Sequence, residues 1–390
     1  MNSPDVVIVG AGITGCSTAF ELSKSDLKIE VVEKHYPGSM GSGWTLAGVR
    51  QSGRHPAEIP LAKYSVEKWP GLAEILGKGT GYTQQGNLRL ARNEEEEKII
   101  KNLVSDQKKA GLDLKYLNDN KTVREIAPAL SEKILSASFC PTDGHAEPIE
   151  TLEAYKYAAE RNGVTFSTEE EVLKINVVNG RLTSIRTSKR LIDTQSCVLA
   201  AGIYCNSLLR NLGKRIPLEV PIVTVIQTEK AKELIKPVIG VANANLAMRQ
   251  ELSGCFRITS GVQKWKGQLE EKNKKPYAAT TLEKIQSTLC RSIEVIPKLG
   301  QCSVRTFWGG LIDLTPDALP VVDKVQECDG LIVASGFSGH GFGIAPAIGG
   351  ILADLTLKKP ARLPIEPFSL YRFQKNNILK HEENEPSLHG

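Results

Sequence analysis

The sequence predicts a mixed α/β fold, with one parallel sheet of the Rossmann-like kind and a second, antiparallel sheet. Three observations predict it. Residues 5–33 read as strand, glycine turn (Gly10, Gly12, Gly15), amphipathic helix and second strand, closed by Glu33. Residues 330–336 form another apolar strand that runs into a glycine-rich turn, followed by a helix over about 345–357. Between these units, residues 215–300 alternate in the β manner around a helix near 280–293.

Gly10 permits the tight turn out of the first strand. Gly12 removes a side chain that would keep a pyrophosphate off the backbone, and Gly15 lets the helix sit close to the sheet. Ile13 and Thr14 open that helix, whose unpaired N–H groups and positive dipole end suit phosphates. Glu33 stands where a carboxylate accepts from ribose hydroxyls and repels a 2′-phosphate. These residues read as a dinucleotide site for FAD or NAD rather than NADP.

The middle of the chain follows the same logic. A helical, polar stretch runs from about 57 to 132; within it residues 94–97 open an exposed helix that continues through Ile99, Ile100 and Leu103. Residues 82–90 alternate like a strand after a turn. Residues 150–162 predict a helix capped by Thr151, with Leu152, Ala154, Tyr155, Tyr157 and Ala158 on its buried side. Short strands follow at 164–166, 171–177 and 182–187, the last two joined by an Asn179-Gly180 hairpin turn. The run 196–201 is a buried strand whose end at Gly202 brings backbone near the cofactor. The helix after Gly343 points a second dipole at the cofactor, or crosses another helix closely through Gly343, Ala345, Ala347 and Gly349. Those two readings are compatible.

Bulk composition narrows the class. With 390 residues, 41% hydrophobic and 24% charged, the chain has room for two domains and the balance of a soluble globular protein. No apolar run approaches the roughly 20 residues of a membrane helix, and with the glycine motif so near Met1 no targeting segment is expected. The net charge of +5 is spread, and Lys272, Lys274 and Lys275 sit beside Glu270 and Glu271, so no nucleic-acid partner is expected. Eight cysteines are scattered without a CxxC pair, which argues against a metal centre and for a reducing, cytoplasmic compartment.

Together the motifs resemble the D-amino-acid oxidase / glycine oxidase superfamily of FAD-dependent oxidoreductases, over roughly residues 4–358. The resemblance rests on the first glycine motif with Glu33, on Gly41-Ser42-Gly43 and the run from Ala47 through Gln51, and on Val172. It rests also on Ala200-Ala201-Gly202, on the run from Trp308 through Asp317, and on the run from Gly336 through Phe342. Residues 47–54 and 338–342 resemble the sarcosine-oxidase-β-like branch, with its opine oxidase, hydroxyproline dehydrogenase and hydrogen cyanide synthase flavin subunits.

The resemblance implies a Rossmann-like FAD-binding domain, discontinuous over 1–82, 150–214 and 300–375. A second antiparallel-sheet substrate domain covers 83–149 and 215–299, and a polar tail covers 376–390. It implies FAD contacts at Lys34, Ser42, Ala47, Gly48, Val172, Ala201 and Gly202. Further contacts fall at Trp308, Gly310, Gly336, Gly339, His340, Gly341, Phe342 and Gly343. The flavin-tethering cysteine of some relatives has no counterpart near Gly310, which implies non-covalent FAD. An electron-accepting partner subunit or a homo-oligomer is also implied.

The implied reaction oxidises the C–N bond of a small amino acid or N-alkyl amino acid (an opine, hydroxyproline, sarcosine or a D-amino acid). Hydride passes to flavin N5, and the imine product then hydrolyses. The substrate carboxylate calls for an arginine, which grips it bidentately. Arg50 is the first candidate and Arg54 the second, with Arg257 behind them. Among the histidines His340 in the glycine loop comes first, then His145 and His55, while His381 and His389 fall in the tail. An NAD-dependent dehydrogenase and a catalytically silent flavin-bound subunit stay open beside this expectation.

Overall fold

The computed structural model describes residues 3–272 and 275–375, so Lys274, His381, His389 and the polar tail lie outside the described residues. Its first sheet runs Val321–Lys324, Leu331–Ser335, Cys197–Leu199, Val6–Val9, Ile29–Val32, Thr165–Ser167. All neighbours are parallel except the first pair. Strands remote in sequence become adjacent: Val7 lies opposite Cys197, and Cys197 opposite Leu331.

Because side chains alternate across a strand, this sheet buries both faces. Val6, Ile8 and Val31 share a core with Cys16, Ala19, Ala158 and Ile348, on helices Ile13–Leu22, Pro148–Arg161 and Ala345–Thr356. Val7, Val9 and Val32 pack instead with Ile175, Ile185 and Ile192 of a three-stranded antiparallel sheet, Val172–Val178, Arg181–Thr187 and Leu191–Asp193. The hairpin turn between its first two strands has φ 49° at Asn179 and 73° at Gly180, the conformation an Asn-Gly pair favours.

A second large sheet has eight strands, in the order Val304–Leu311, Ile222–Thr228, Phe256–Ser260, Leu246–Gln250, Val238–Val241, Asn87–Ala91, Ser136–Cys140, Lys115–Leu117. It is antiparallel except between Val238–Val241 and Asn87–Ala91. Leu88, Leu90, Ile226, Ile239, Met248 and Ile258 turn one face into a core that includes Val295 of helix Leu282–Val295. The opposite face carries one cross-strand row: Trp308, Val225, Thr259, Ala247, Gly240, Arg89 and Ser138. Strand Val304–Leu311 belongs to this sheet although the neighbouring C-terminal strands belong to the parallel one.

Several elements differ in detail from expectation. The helix expected from 150 begins at Pro148, with Glu147 at its cap position; Thr151 lies inside it, and its hydroxyl donates to Thr80 O at 3.0 Å. Proline suits a first helical position because its missing N–H has no intrahelical partner there. Tyr157 is exposed, its ring lying 5.6 Å from the Arg161 guanidinium, because the buried stripe runs through Thr151, Leu152, Ala154, Tyr155, Ala158 and Ala159. Helix Glu94–Lys109 is capped by the Asn93 side chain, and Ile100 is fully buried while Ile99 is exposed. The close helix crossing is present: a Cβ on Gly349 would meet Ser17 at 2.7 Å.

Candidate active site

One continuous cavity runs from the first glycine turn to the face of the eight-stranded sheet, lined by Gly12 and Glu33 at one end and Arg89 and Gly240 at the other. At the nucleotide end Gly10 has φ 102°, and a Cβ there would meet Ala200 O at 2.6 Å. A Cβ on Gly15 would overlap the Gly10 carbonyl, so this glycine sets the helix against the turn and does not line the cavity. Gly10, Gly12, Ile13 and Thr14 do line it. Ser42 accepts from Ile13 N at 2.9 Å, which fills one free donor of the helix N-terminus, and the serine itself lines the cavity. Glu33 accepts from Ala11 N and His35 N, both at 2.8 Å, locking the turn to the second strand with a lone pair left on each oxygen.

Lys34, Val172, Ala201, Gly202, Gly48, Gly310, Gly339, Gly341 and Phe342 line the same cavity. A Cβ on Gly48 or Gly202 would meet nothing within 4 Å, so both backbones face open space on the cavity side. The carboxylate, the serine hydroxyl, the bare glycine backbones and the length of this cavity fit an FAD. When bound, FAD supplies the hydride acceptor.

Besides Gly15, five more expected cofactor contacts do not line the cavity. Ala47 is fully buried with φ 59°, its carbonyl accepting from Ala146 N at 3.0 Å. Trp308 sits in the sheet row, but its ring faces the Arg257 guanidinium at 5.4 Å and not the cavity. Gly336, at φ 68°, donates its N–H to Asp313 Oδ2 at 2.7 Å, which anchors the glycine loop. Gly343 O accepts from Trp69 Nε1 at 2.8 Å. His340 is turned away between Gly339 and Gly341, with Nδ1 at 3.2 Å from Glu58 Oε2. Each position shapes the wall rather than forming it.

Arginines gather at the sheet end. Arg50 and Arg54 line the cavity, joined by Arg89 from strand Asn87–Ala91. Arg50 Nη1 donates to Ser52 O at 2.9 Å. A Cβ on Gly53 would lie 2.8 Å from Arg50 Nη1 and 3.0 Å from Arg89 Nη2, so the two guanidiniums are near neighbours. The loop that presents them is fixed from behind: Asp143 accepts from Gln51 N at 2.8 Å and from Ser52 Oγ at 2.5 Å. Gln107 accepts from Gly53 N at 2.9 Å and donates to Arg54 O at 3.2 Å. Burial, then the charges of Arg54 and Arg89, pull Arg50 well below the usual guanidinium range; burial and Arg54 bring Arg89 down to about 10. Arginine does not give up its proton in proteins, so burial of three neighbouring guanidiniums poises them for an anion.

Arg89 carries no motif. Its signal is local: a charged residue between Leu88 and Leu90, on the strand face opposite their core. Glu58 and Asp143 likewise reveal themselves only through tertiary contacts. The remaining sequence candidates have structural partners. Arg257 donates to Glu251 Oε1 at 2.7 Å and Thr45 O at 2.8 Å. His145 is buried beside Arg249 and pushed down to about 3, chiefly by burial. His55 caps the turn Pro56–Glu58 by accepting from Ala57 N. Among the described residues no group of His, Cys, Asp and Glu is arranged to hold a metal ion, and no helix is long and apolar enough to cross a membrane.

Known proteins agree with this geometry. Residues 5–355 match the family described as DAO, FAD dependent oxidoreductase. The chain is 24% identical to sarcosine oxidase subunit beta of Rhizobium meliloti, over 99% of this chain and 92% of the relative. It is 26% identical to the glycine oxidase of Geobacillus kaustophilus, over 94% and 97%. Among solved structures, the L-proline dehydrogenase of P. horikoshii superposes with a TM-score of 0.87 at 28% identity, covering 96% of this chain and 98% of that one. A cavity with a glycine-turn nucleotide end and a family match over residues 5–355 lead to one conclusion: this chain belongs to the DAO family of FAD-dependent oxidoreductases.

Proposed function

We propose that the protein oxidises the C–N bond of a small amino acid or N-alkyl amino acid, with the substrate carboxylate held by Arg50. The observation that carries this reading is that Arg50 and the glycine-turn nucleotide site line the same cavity. Sequence alone left FAD and NAD open; the family is FAD-dependent, which sets NAD aside. Arg50 fixes the acid end, so the amine-bearing carbon is directed back toward Gly48 and Gly310. The surrounding cations disfavour a protonated amine and so favour the neutral form from which C–H cleavage proceeds. Relatives named for sarcosine, glycine and proline support the substrate class.

The proposal extends to cofactor attachment, domains and setting. FAD is held without a covalent bond, since no cysteine lines the cavity among the described residues. The parallel sheet with its helices forms the FAD-binding domain and the eight-stranded sheet the substrate domain. A relative named as a subunit supports an electron-accepting partner, and eight free cysteines support the cytoplasm.

The test is anaerobic reduction of the yellow protein by a panel of D-amino acids, sarcosine, hydroxyproline and opines, with 2-hydroxy acids as controls. Bleaching by amines and recovery in air mark an oxidase; bleaching without recovery marks a dehydrogenase with another acceptor. Bleaching by 2-hydroxy acids alone rules out C–N chemistry.

A further inference from the structure

We propose that the substrate carries two carboxylates and that Arg50, Arg54 and Arg89 together hold both of them at the sheet end of the cavity. The choice of reacting bond rests on the C–N reading above; the second acid group rests on charge and space. One guanidinium satisfies one carboxylate through two parallel N–H···O bonds. Three guanidiniums face this cavity.

Their donors are largely unused. Arg54 is 5% exposed, and its Nε and Nη1 are buried without a partner. The Arg89 guanidinium takes part in no side-chain hydrogen bond or ion pair found among the described residues, and Arg50 gives only Nη1, to Ser52 O. Like charges gathered this closely repel one another, the more so away from water, so such a cluster calls for anions. The protein's own carboxylates here do not bond to the guanidiniums. Glu58 is engaged by His340, and Asp143 by Gln51 N and Ser52. The unmet donors are left for a ligand.

Space matches charge. Arg89 lies in register with Gly240, next to Ala247 and Thr259, and a Cβ on Gly240 would meet nothing within 4 Å. A small-residue floor beside an unpaired guanidinium leaves room for a second acidic arm beyond the one Arg50 grips.

The test uses unreactive acids and the flavin-loaded protein. Calorimetric titration with glutarate, butyrate and inorganic phosphate separates two carboxylates from one, and both from a phosphate. Glutarate is expected to bind at least about tenfold more tightly than butyrate, a difference of about 1.4 kcal/mol. Arg89→Met is expected to remove that advantage while changing butyrate affinity less than about twofold. Arg54→Gln repeats the test independently should Arg89→Met fold poorly. Equal affinity for the two acids, phosphate binding more tightly than glutarate, or a variant that weakens both acids alike would each overturn the inference. A parallel arm compares anaerobic flavin reduction by glutamate and glutamine of either hand, alongside the wider amine panel. Glutarate selectivity with no amine reducing the flavin sinks the C–N reading alone; amine reduction without glutarate selectivity sinks the two-carboxylate inference alone.

Discussion

Glu58 Oε2 and His340 Nδ1 meet at 3.2 Å, 282 positions apart in sequence, with their side chains 0% and 4% exposed. Burial first, and then the nearby Arg54 charge, push His340 down to about 4. Against the raising effect of burial, the contact with His340 and then the Arg54 charge hold Glu58 below its ordinary value. At neutral pH the pair is therefore a carboxylate accepting from the Nδ1–H of a neutral imidazole. This bond joins the turn Pro56–Glu58 to the loop between Gly336 and Gly343, so the two ends of the chain close on the cavity together.

Stability is expected to fall on mild acidification. His340 moves from an ordinary 6.5 to about 4 in the folded protein, so the unfolded chain takes up the proton first as pH falls. Its contribution is complete above pH 6.5 and is lost between about 6.5 and 4, by up to about 3 kcal/mol. Glu58 acts in the same direction at lower pH, since a depressed carboxylate loses its contribution as pH drops through its folded value. Thermal midpoints across pH 4.5–7.5 should slope steeply for the wild type and much less for His340→Asn. An identical slope in the variant removes this account.

Arg249 is expected to be among the costliest charged residues to replace. It is fully buried, pairs with both oxygens of Glu147 at 2.8 and 3.1 Å, and donates from Nε to Leu46 O at 2.6 Å. Arg257 holds the adjoining Thr45 carbonyl, so two strands of the large sheet grip a loop that lines the cavity. Arg249→Met leaves Glu147 without its partner and should cost about 3–5 kcal/mol. Denaturant unfolding of the FAD-free protein measures that loss, and a faster release of FAD from the variant measures the loosened loop. Wild-type values for both would show that the pair is idle.

The parallel sheet was legible because each of its βα units carries its own punctuation. Three of its six strands are apolar runs that lead into glycine turns at Gly10, Gly202 and Gly336. The arginine end was half legible. Arg50 and Arg54 lie in a motif, but Arg89 joins them through strand pairing from Asn87 to Val238, and a one-residue change of register would turn it into the core. His340 shows the opposite error. It sits among glycines that do line the cavity, yet Glu58, invisible as a partner in sequence, draws it away. Trp308 fails for a similar reason, since Arg257 offers its ring a cation.

Two glycines of the first turn are expected to fail differently when given a methyl group. Gly15 packs on the Gly10 backbone, which cannot yield, so Gly15→Ala should destabilise the FAD-free protein itself. Gly12 meets only Ser42 Oγ, at 3.1 Å, on the cavity side. Gly12→Ala should therefore fold with a near-normal FAD-free thermal midpoint but bind FAD about a hundredfold more weakly, a loss of about 3 kcal/mol. Flavin titration and thermal melts of both proteins test the contrast. Equal losses of stability would mean that Gly12 serves packing, not the pyrophosphate.

Arg50 is expected to govern substrate capture and not flavin retention. Its guanidinium lines the cavity with only Nη1 engaged, while the residues at the nucleotide end are independent of it. Arg50→Ala should raise the KM for an oxidised amino acid by roughly tenfold to a hundredfold, the scale of a charge-assisted pair of hydrogen bonds. A smaller change in kcat and unchanged bound flavin should accompany it. Arg50→Lys should recover little, because a single ammonium cannot reproduce the planar two-point grip. Steady-state kinetics with the flavin absorbance of each variant separates the outcomes. Loss of flavin in Arg50→Ala would make Arg50 a cofactor residue, and a fall in kcat at constant KM would mean that it acts on the reacting bond and not on the acid.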